Sequence, residues 1–193
     1  MSKVCRLIFQ NRVLPGKSII IDKKLFLDAK PAIRIYRWSC PTVSIGCGQN
    51  LDDFRNFIKK GYKVVKRITG GGAVIHRDDI CFSIVIPKSA SFFGNIKDTI
   101  YKIQSGIRNV LNPYIKKIKI NLKEPDRYTK FCFLTKSKYD LVSLRRKISG
   151  VAFYKSAKAI IYQGSIDIGK LNFSFNEFSN LLVNEWQKYF FKN

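Results

Sequence analysis

Apolar residues along the chain gather in short runs broken by charged and turn-forming residues, the pattern of β-strands buried on one or both faces. It predicts strands at Val4 to Phe9, Ile33 to Trp38, Thr42 to Ile45, Tyr62 to Lys66, Ala73 to His76, Ile80 to Ile86, Ile115 to Leu122, Tyr139 to Val142, Ile148 to Phe153 and Ala159 to Ile168. A different period runs from Ile96 to Leu111, where Ile96, Ile100, Ile103, Ile107, Val110 and Leu111 recur at three- and four-residue steps. Such a stripe marks one face of a helix, and Asn95 stands where a capping side chain belongs. A second helix is predicted from Asn176 to Phe190, with Phe178, Leu182, Trp186 and Tyr189 or Phe190 as its apolar stripe, and shorter ones at Ser18 to Ala29 and Asp52 to Lys60. Strands outnumber helices and cluster as hairpins, which predicts an α+β fold with a mixed, largely antiparallel sheet and helices packed on it.

The 193 residues show no internal repeat or low-complexity linker, and the six prolines fall at element edges, so residues 1–193 read as a single domain. With 46% hydrophobic and 13% aromatic residues the chain can bury a sizeable core. No stretch approaches the roughly 18 to 20 apolar residues that cross a bilayer, and Met1 to Cys5 lead into no signal-like segment. A soluble, cytoplasmic protein without a membrane partner is therefore expected. Five cysteines, Cys5, Cys40, Cys47, Cys81 and Cys132, include no C-x-x-C pair and read as reduced thiols. A single histidine and no carboxylate cluster at ligand spacing argue against a protein-bound transition metal.

A formal net charge of +23 attracts polyanions of every kind, and nucleic acid is the first class to consider. The lysines, however, are spread from Lys3 to Lys192 rather than gathered in a stripe, in a chain rich in Ile, Asn and Phe, as a nucleotide-biased genome writes it. No recognised nucleic-acid motif accompanies the charge, so a nucleic-acid partner is not predicted, and a basic nucleic-acid-binding domain stands only as the non-enzymatic alternative.

Three segments carry candidate chemistry. Lys66-Arg67-Ile68-Thr69-Gly70-Gly71-Gly72-Ala73-Val74-Ile75-His76 sets three glycines between two strands. Glycine takes positive φ and has no Cβ, so the loop can turn amides toward an anionic or acyl ligand, or it can be a plain hairpin turn. It is not a Walker A loop, and neither is Gly16-Lys17-Ser18, which has Asn11 where that motif needs glycine. His76 is the one residue available to a Ser-His or Cys-His pair, against a structural role. In Lys147-Ile148-Ser149-Gly150-Val151-Ala152-Phe153, strand alternation puts Lys147, Ser149, Val151 and Phe153 on one face and Ile148, Gly150 and Ala152 on the other. Cys132 has Arg127, Lys130, Lys136, Lys138, Arg145 and Arg146 near it in sequence, and cations beside a thiol favour its nucleophilic thiolate.

Together these segments resemble the lipoate-protein ligase and octanoyltransferase superfamily, related in fold to biotin-protein ligase. The resemblance runs from about Pro31 to Ile168. Pro31 to Trp38 followed by Pro41 to Gly46 and Gln49-Asn50 looks like the family's opening strand pair, and Arg67 to His76 looks like its acyl-binding loop. Lys147 to Ala152 looks like the K-[IV]-[SA]-G-x-A segment that carries its essential lysine, and Gln163-Gly164-Ser165-Ile166 falls where H-G-[ST]-[IL] is usual. The resemblance implies a biotin/lipoate-protein-ligase-like catalytic domain without an accessory C-terminal domain. It makes Lys147 catalytic, and Arg67, Thr69, Gly70, Gly71, Gly72, Ala73, His76, Ser149, Gly150 and Ala152 the residues that hold an acyl or adenylate group.

Two mechanisms occur in that superfamily. Ligases activate lipoate with ATP and Mg2+ and pass the acyl group from its adenylate to a carrier lysine. Octanoyltransferases take octanoate from octanoyl-acyl carrier protein, the cysteine-dependent M-type through an enzyme thioester and without a cofactor. Gly70-Gly71-Gly72-Ala73-Val74 has the ligase form, since the M-type transferases usually have arginine at the position of Gly72. Cys132-Phe133, Tyr139, Leu141-Val142 and Lys147 match the M-type transferases, with the cysteine fifteen positions before the lysine. The transferase reading, with Cys132 as nucleophile, is preferred. It implies acidic partners, octanoyl-acyl carrier protein and lipoyl carrier domains such as 2-oxoacid dehydrogenase E2 or glycine cleavage H protein, which the basic surface would steer into encounter. Departures from the pattern are Gln163 for histidine, Arg77 before Asp78 and Asp79 in the H-x-x-[DE] neighbourhood, and no N-x-A-x-D-E around Asp22.

Overall fold

The computed structural model describes residues 5–125, 129–144, 146–169 and 171–191. Among these residues the strands are β1 (Arg6–Val13), β2 (Ala32–Trp38), β3 (Thr42–Ile45), β4 (Lys63–Lys66), β5 (Val74–His76), β6 (Ile80–Pro87), β7 (Ile118–Ile120), β8 (Leu141–Ser143), β9 (Arg146–Lys155) and β10 (Ala159–Ile166). The α-helices are α1 (Pro15–Asp28), α2 (Arg55–Lys59), α3 (Ile96–Leu111) and α4 (Phe175–Gln187). A seven-stranded sheet has the order β1-β2-β6-β10-β9-β8-β7, and a three-stranded sheet the order β4-β3-β5. β1 runs parallel to β2 and β4 to β3, while the remaining pairs are antiparallel, so the predicted mixed, largely antiparallel α+β fold is what forms.

All eight residues of β6 are buried, because the large sheet is covered on both faces. On one face Ile33, Ile35, Phe82, Ile84, Ile160 and Tyr162 pack with α3 and α4. The alternate residues Ala32, Val85, Ala159 and Ile161 meet Leu25 and Phe26 of α1 on the other. Phe178, Leu182 and Trp186 of α4 are wholly buried, and so is Phe190, although the helix stops at Gln187, short of its predicted end, and Phe190 packs from the turn beyond it. Trp186 also donates its indole N–H to the Ile103 carbonyl at 3.0 Å. Truncating a side chain so enclosed costs about 3 to 5 kcal/mol, so α3 and α4 are held as one layer.

The structure departs from the sequence pattern where local geometry interrupts it. Positions 52 to 60 split into a 3-10 turn, Leu51–Phe54, and α2, as Asn50 accepts the Asp52 N–H. Asn95 precedes α3 but its side chain forms no cap, and the Thr99 hydroxyl instead folds back on the Asn95 carbonyl. Lys117 takes a positive φ of 55° and delays β7 to Ile118. Val4, the predicted first strand residue, lies outside the described residues.

The consequential departure is in β9. Leu141 pairs with Ser149 while its neighbour Val142 pairs with Lys147, so Ile148 is an extra residue opposite β8. Such a bulge shifts the alternation by one. Lys147 therefore comes to the side of Gly150, not the opposite face that strict alternation predicts, while Ile148 goes into the core under α3.

Candidate active site

A cavity of about 200 Å³ lies between the second face of the large sheet and the small sheet. Trp38, Tyr36, Ile19, Val74 and Val151 give it apolar walls, and Lys147 and Cys132 stand among its polar lining residues. Such a chamber with a few polar groups is suited to an acyl chain carrying one reactive carbonyl.

Lys147 enters this space over Gly150. A Cβ at position 150 would lie 2.7 Å from the Lys147 Cε and 2.9 Å from its Nζ, so glycine leaves the path open. The ammonium is buried, pairs with Asp140 Oδ2 at 2.6 Å, and also lies 3.2 Å from the Cys132 Sγ and 3.2 Å from the Cys132 carbonyl oxygen. The Thr135 carbonyl completes its surroundings at 3.3 Å. Asp140 in turn accepts the Ser137 N–H at 2.6 Å. Burial pushes the Asp140 carboxyl above its ordinary range, and the neighbouring Lys147 opposes that rise.

The glycine loop holds the cysteine. Gly71 has a φ of 87°, which L side chains rarely adopt, and Gly72 backs directly onto the chain at Cys132: a Cβ there would meet the Cys132 nitrogen at 2.9 Å and the Lys130 carbonyl at 3.0 Å. Ala73 closes the seam, donating its N–H to Lys130 and accepting that of Cys132, both at 2.8 Å. Among the described residues the amides of Gly70, Gly71 and Gly72 donate to no protein acceptor, and Gly71 and Gly72 line the cavity.

Arg67 is the internal brace of this loop. Its guanidinium reaches the Ser44, Gly70 and Gly72 carbonyls at 2.9, 2.7 and 2.9 Å and the Thr69 hydroxyl at 3.1 Å. Thr69 is buried and donates to Gln163 Oε1 at 2.9 Å, while Gln163 Nε2 donates to Asp22 Oδ2 at 2.6 Å. Asp22 also pairs with the fully buried Arg34 at 2.6 Å. Gln163, which departs from the family pattern, is thus coupled together with Asp22 to the base of the loop.

The predicted site residues are brought together unevenly. Arg67, Gly71, Gly72, His76, Cys132, Lys147, Gly150 and Ala152 line one cavity. Thr69, Gly70 and Ala73 support it from behind. Ser149 does not line it: the bulge leaves this residue fully buried, its carbonyl accepting from Gln104 of α3. His76 is not the partner of Cys132, because its Nε2 faces Ser44 Oγ and its Nδ1 faces Asp79 Oδ2, each at 2.7 Å. Three of the basic neighbours of Cys132 in sequence are drawn to acids, although Lys138 lines the same cavity. Lys130 pairs with Asp53, Lys138 with Glu124 and Arg146 with Asp167, while Arg127 and Arg145 lie outside the described residues. The cation at the sulfur is Lys147. Asp140 was missed by motif reading, although a lone acid against Leu141-Val142 in so basic a chain was a signal for a buried pair.

The family model of the lipoyl protein ligase A/B catalytic domain matches residues 19–192. The chain belongs to this family. Among curated relatives, octanoyltransferase LipM of Staphylococcus epidermidis is 34% identical over 153 residues, covering 72% of this chain and 55% of that protein. The chain thus spans about half the length of the curated relatives it matches, LipM of Oceanobacillus iheyensis at 32% identity included. Among solved structures, lipoate-protein ligase A bound with ATP superposes with a TM-score of 0.74 at 20% identity, covering 95% of this chain and 84% of that one. A bipartite lipoate protein ligase of Thermoplasma acidophilum, described with its E2 lipoyl domain, superposes with a TM-score of 0.67 at 18% identity, covering 95% and 82%. These likenesses bear out the expected lipoyl ligase fold. Among the described residues no helix is long and apolar enough to cross a membrane.

Proposed function

We propose that this lipoyl protein ligase family member is an octanoyltransferase that moves an octanoyl group from octanoyl-acyl carrier protein to a lysine of a lipoyl carrier domain, through a thioester on Cys132. The observation that carries the proposal is the contact of Lys147 Nζ with Cys132 Sγ at 3.2 Å beside an apolar cavity. The likeness to proteins named octanoyltransferase LipM supports it, and the neighbour described with an E2 lipoyl domain supports the class of acceptor.

The chemistry divides into two balanced exchanges. In the first, the Cys132 sulfur attacks the thioester carbonyl, the bond to the carrier thiol breaks, and the departing thiol takes the proton that Cys132 gives up. In the second, the acceptor lysine amine attacks the enzyme thioester, the amide forms, and Cys132 recovers a proton. Lys147 sets a positive charge beside the sulfur and the carbonyl oxygen as each becomes negative, and the free amides of Gly71 and Gly72 can serve the same oxyanion. Asp140 fixes the ammonium in place.

The ATP-dependent ligase reading needs cations that can take hold of an adenylate. Arg67 is committed to the loop's own carbonyls and Lys147 to Asp140 and the Cys132 segment, which favours an activated thioester as the donor, with no cofactor. The test is donor dependence. Octanoyl-acyl carrier protein and a lipoyl domain, without nucleotide, should yield octanoyl-lysine, while free lipoate with ATP and Mg2+ should yield no product. Product formed only in the second mixture would overturn the proposal.

A further inference from the structure

The turn that carries the chain from the small sheet to the large one brings together three donor atoms that the acyl chemistry does not use. His76 ends β5, Asp79 lies in the turn and Cys81 is the second residue of β6, an H-x-x-D-x-C spacing that sequence reading passed over because it has one histidine. In space the His76 Nδ1 and Asp79 Oδ2 are 2.7 Å apart, His76 Nδ1 and Cys81 Sγ 3.4 Å, and Cys81 Sγ and Asp79 Oδ2 3.6 Å. Around a tetrahedral zinc-class ion, bonds of about 2.0 to 2.3 Å place neighbouring donors about 3.3 to 3.6 Å apart. Two of the three separations already have that length, and the third opens by about 0.6 Å when the His–Asp hydrogen bond gives way to metal bonds.

We propose that His76, Asp79 and Cys81 form a binding site for a divalent transition metal of the zinc class. Each donor is oriented from behind, as outer-shell partners orient metal ligands. Ser44 Oγ lies 2.7 Å from His76 Nε2 and can take its proton in a hydrogen bond, leaving Nδ1 with the lone pair. The Ser165 hydroxyl donates to Asp79 Oδ2 at 2.6 Å, the Arg77 N–H binds Asp79 Oδ1 at 3.2 Å, and the Trp38 indole N–H points at Cys81 Sγ at 3.1 Å. Binding forms bonds from the metal to Nδ1, Oδ2 and Sγ and breaks the Cys81 S–H bond, whose proton passes to solvent. The carboxylate and the thiolate then balance the two positive charges of the ion. His76, Cys81 and Ser165 line the cavity, so the fourth position opens on it, the arrangement of a site that exchanges a water or ligand. The donor set of imidazole, thiolate and carboxylate favours zinc or cobalt over calcium or magnesium, which prefer oxygen donors alone.

The proposed site shares the cavity with Cys132 but takes no part in the proposed acyl exchange, and its test uses no activity. Cobalt(II) is titrated into chelator-treated protein in which Cys47→Ser and Cys132→Ser remove the other cavity and exposed thiols. One equivalent should bind with a thiolate-to-cobalt charge-transfer band and the intense visible bands of a four-coordinate ion, release one proton, and be displaced by zinc. Cys81→Ser should abolish the charge-transfer band with an unchanged circular dichroism spectrum. Ser165→Ala, which removes only an orienting partner, should weaken binding about 10- to 100-fold while leaving the saturated band intact. Persistence of the band after Cys81→Ser, or no stoichiometric binding by the folded protein, would overturn the site.

Discussion

The buried Lys147–Asp140 pair allows stability and chemistry to be separated by experiment. The side chains are 1% and 6% exposed and 2.6 Å apart, so water screens the pair little. Removing one partner of such a pair typically costs about 3 to 5 kcal/mol, because a charge is left buried and uncompensated, whereas replacing both with neutral groups is often close to neutral. Asp140→Asn leaves the Lys147 ammonium without a counter-charge among the Cys132 and Thr135 carbonyls and the Cys132 sulfur, and Lys147→Met leaves the carboxylate with the Ser137 amide. Each single variant should lose about 3 kcal/mol or more of a total that for domains of this kind is about 5 to 15 kcal/mol. The double variant should lose less than either, since methionine fills the lysine's path and asparagine keeps the Ser137 bond. Urea unfolding of the four proteins gives the cycle, and losses that add to within about 0.5 kcal/mol would refute the coupling. Burial raises the Asp140 carboxyl, so the folded state holds that proton more tightly than the unfolded state. A raised group stabilises the fold below its unfolded pKa of about 3.9 and loses that contribution as pH rises through the folded value. Without Lys147 the rise is larger, so the deficit of Lys147→Met should shrink on acidification and grow toward neutral pH. The double variant should be stable and still inactive, which a purely structural role for Lys147 does not allow.

Gly72→Ala places a Cβ 2.9 Å from the Cys132 nitrogen, so it should cost about 1 to 3 kcal/mol in unfolding experiments and lower turnover far more than Gly48→Ala, a position with open space around it. Ser174 accepts the Glu177 N–H at the start of α4, and Ser174→Ala should lower stability by about 1 kcal/mol with turnover unchanged at a temperature where both proteins are folded. With a net charge of +23, transfer between an acidic acyl carrier and an acidic lipoyl domain should slow as salt rises from about 0.01 to 0.15 M, where the Debye length falls from about 30 to 8 Å; a rate indifferent to salt would remove the steering argument.

The fold was legible because its signals are periodic. Isoleucines at three- and four-residue steps placed α3 at its observed bounds, and short apolar runs located strands whose alternate residues do face opposite layers, as Ile33 and Ile35 against Ala32 show. The site was legible as motifs but not as geometry. A one-residue bulge at Ile148, invisible to a pattern of period two, decides that Lys147 reaches the cavity and Ser149 does not. Sequence proximity misled at Cys132, where Lys130, Lys138 and Arg146 are drawn to acids elsewhere and a lysine fifteen positions away supplies the charge. Asp140 and Gln163 act through partners distant in sequence or hidden by the fold, Gln163 reaching Asp22 across 141 positions, and no local pattern announces such contacts.

The most direct test of the account is the intact mass of the protein after brief exposure to octanoyl-acyl carrier protein without an acceptor. A mass increase of one octanoyl group, located on Cys132, removed by hydroxylamine and discharged when a lipoyl domain is added, is the predicted result. Cys132→Ser should carry no hydroxylamine-labile adduct and transfer nothing. Full transfer by that variant, or an active enzyme that never holds the acyl group, would contradict the thioester mechanism.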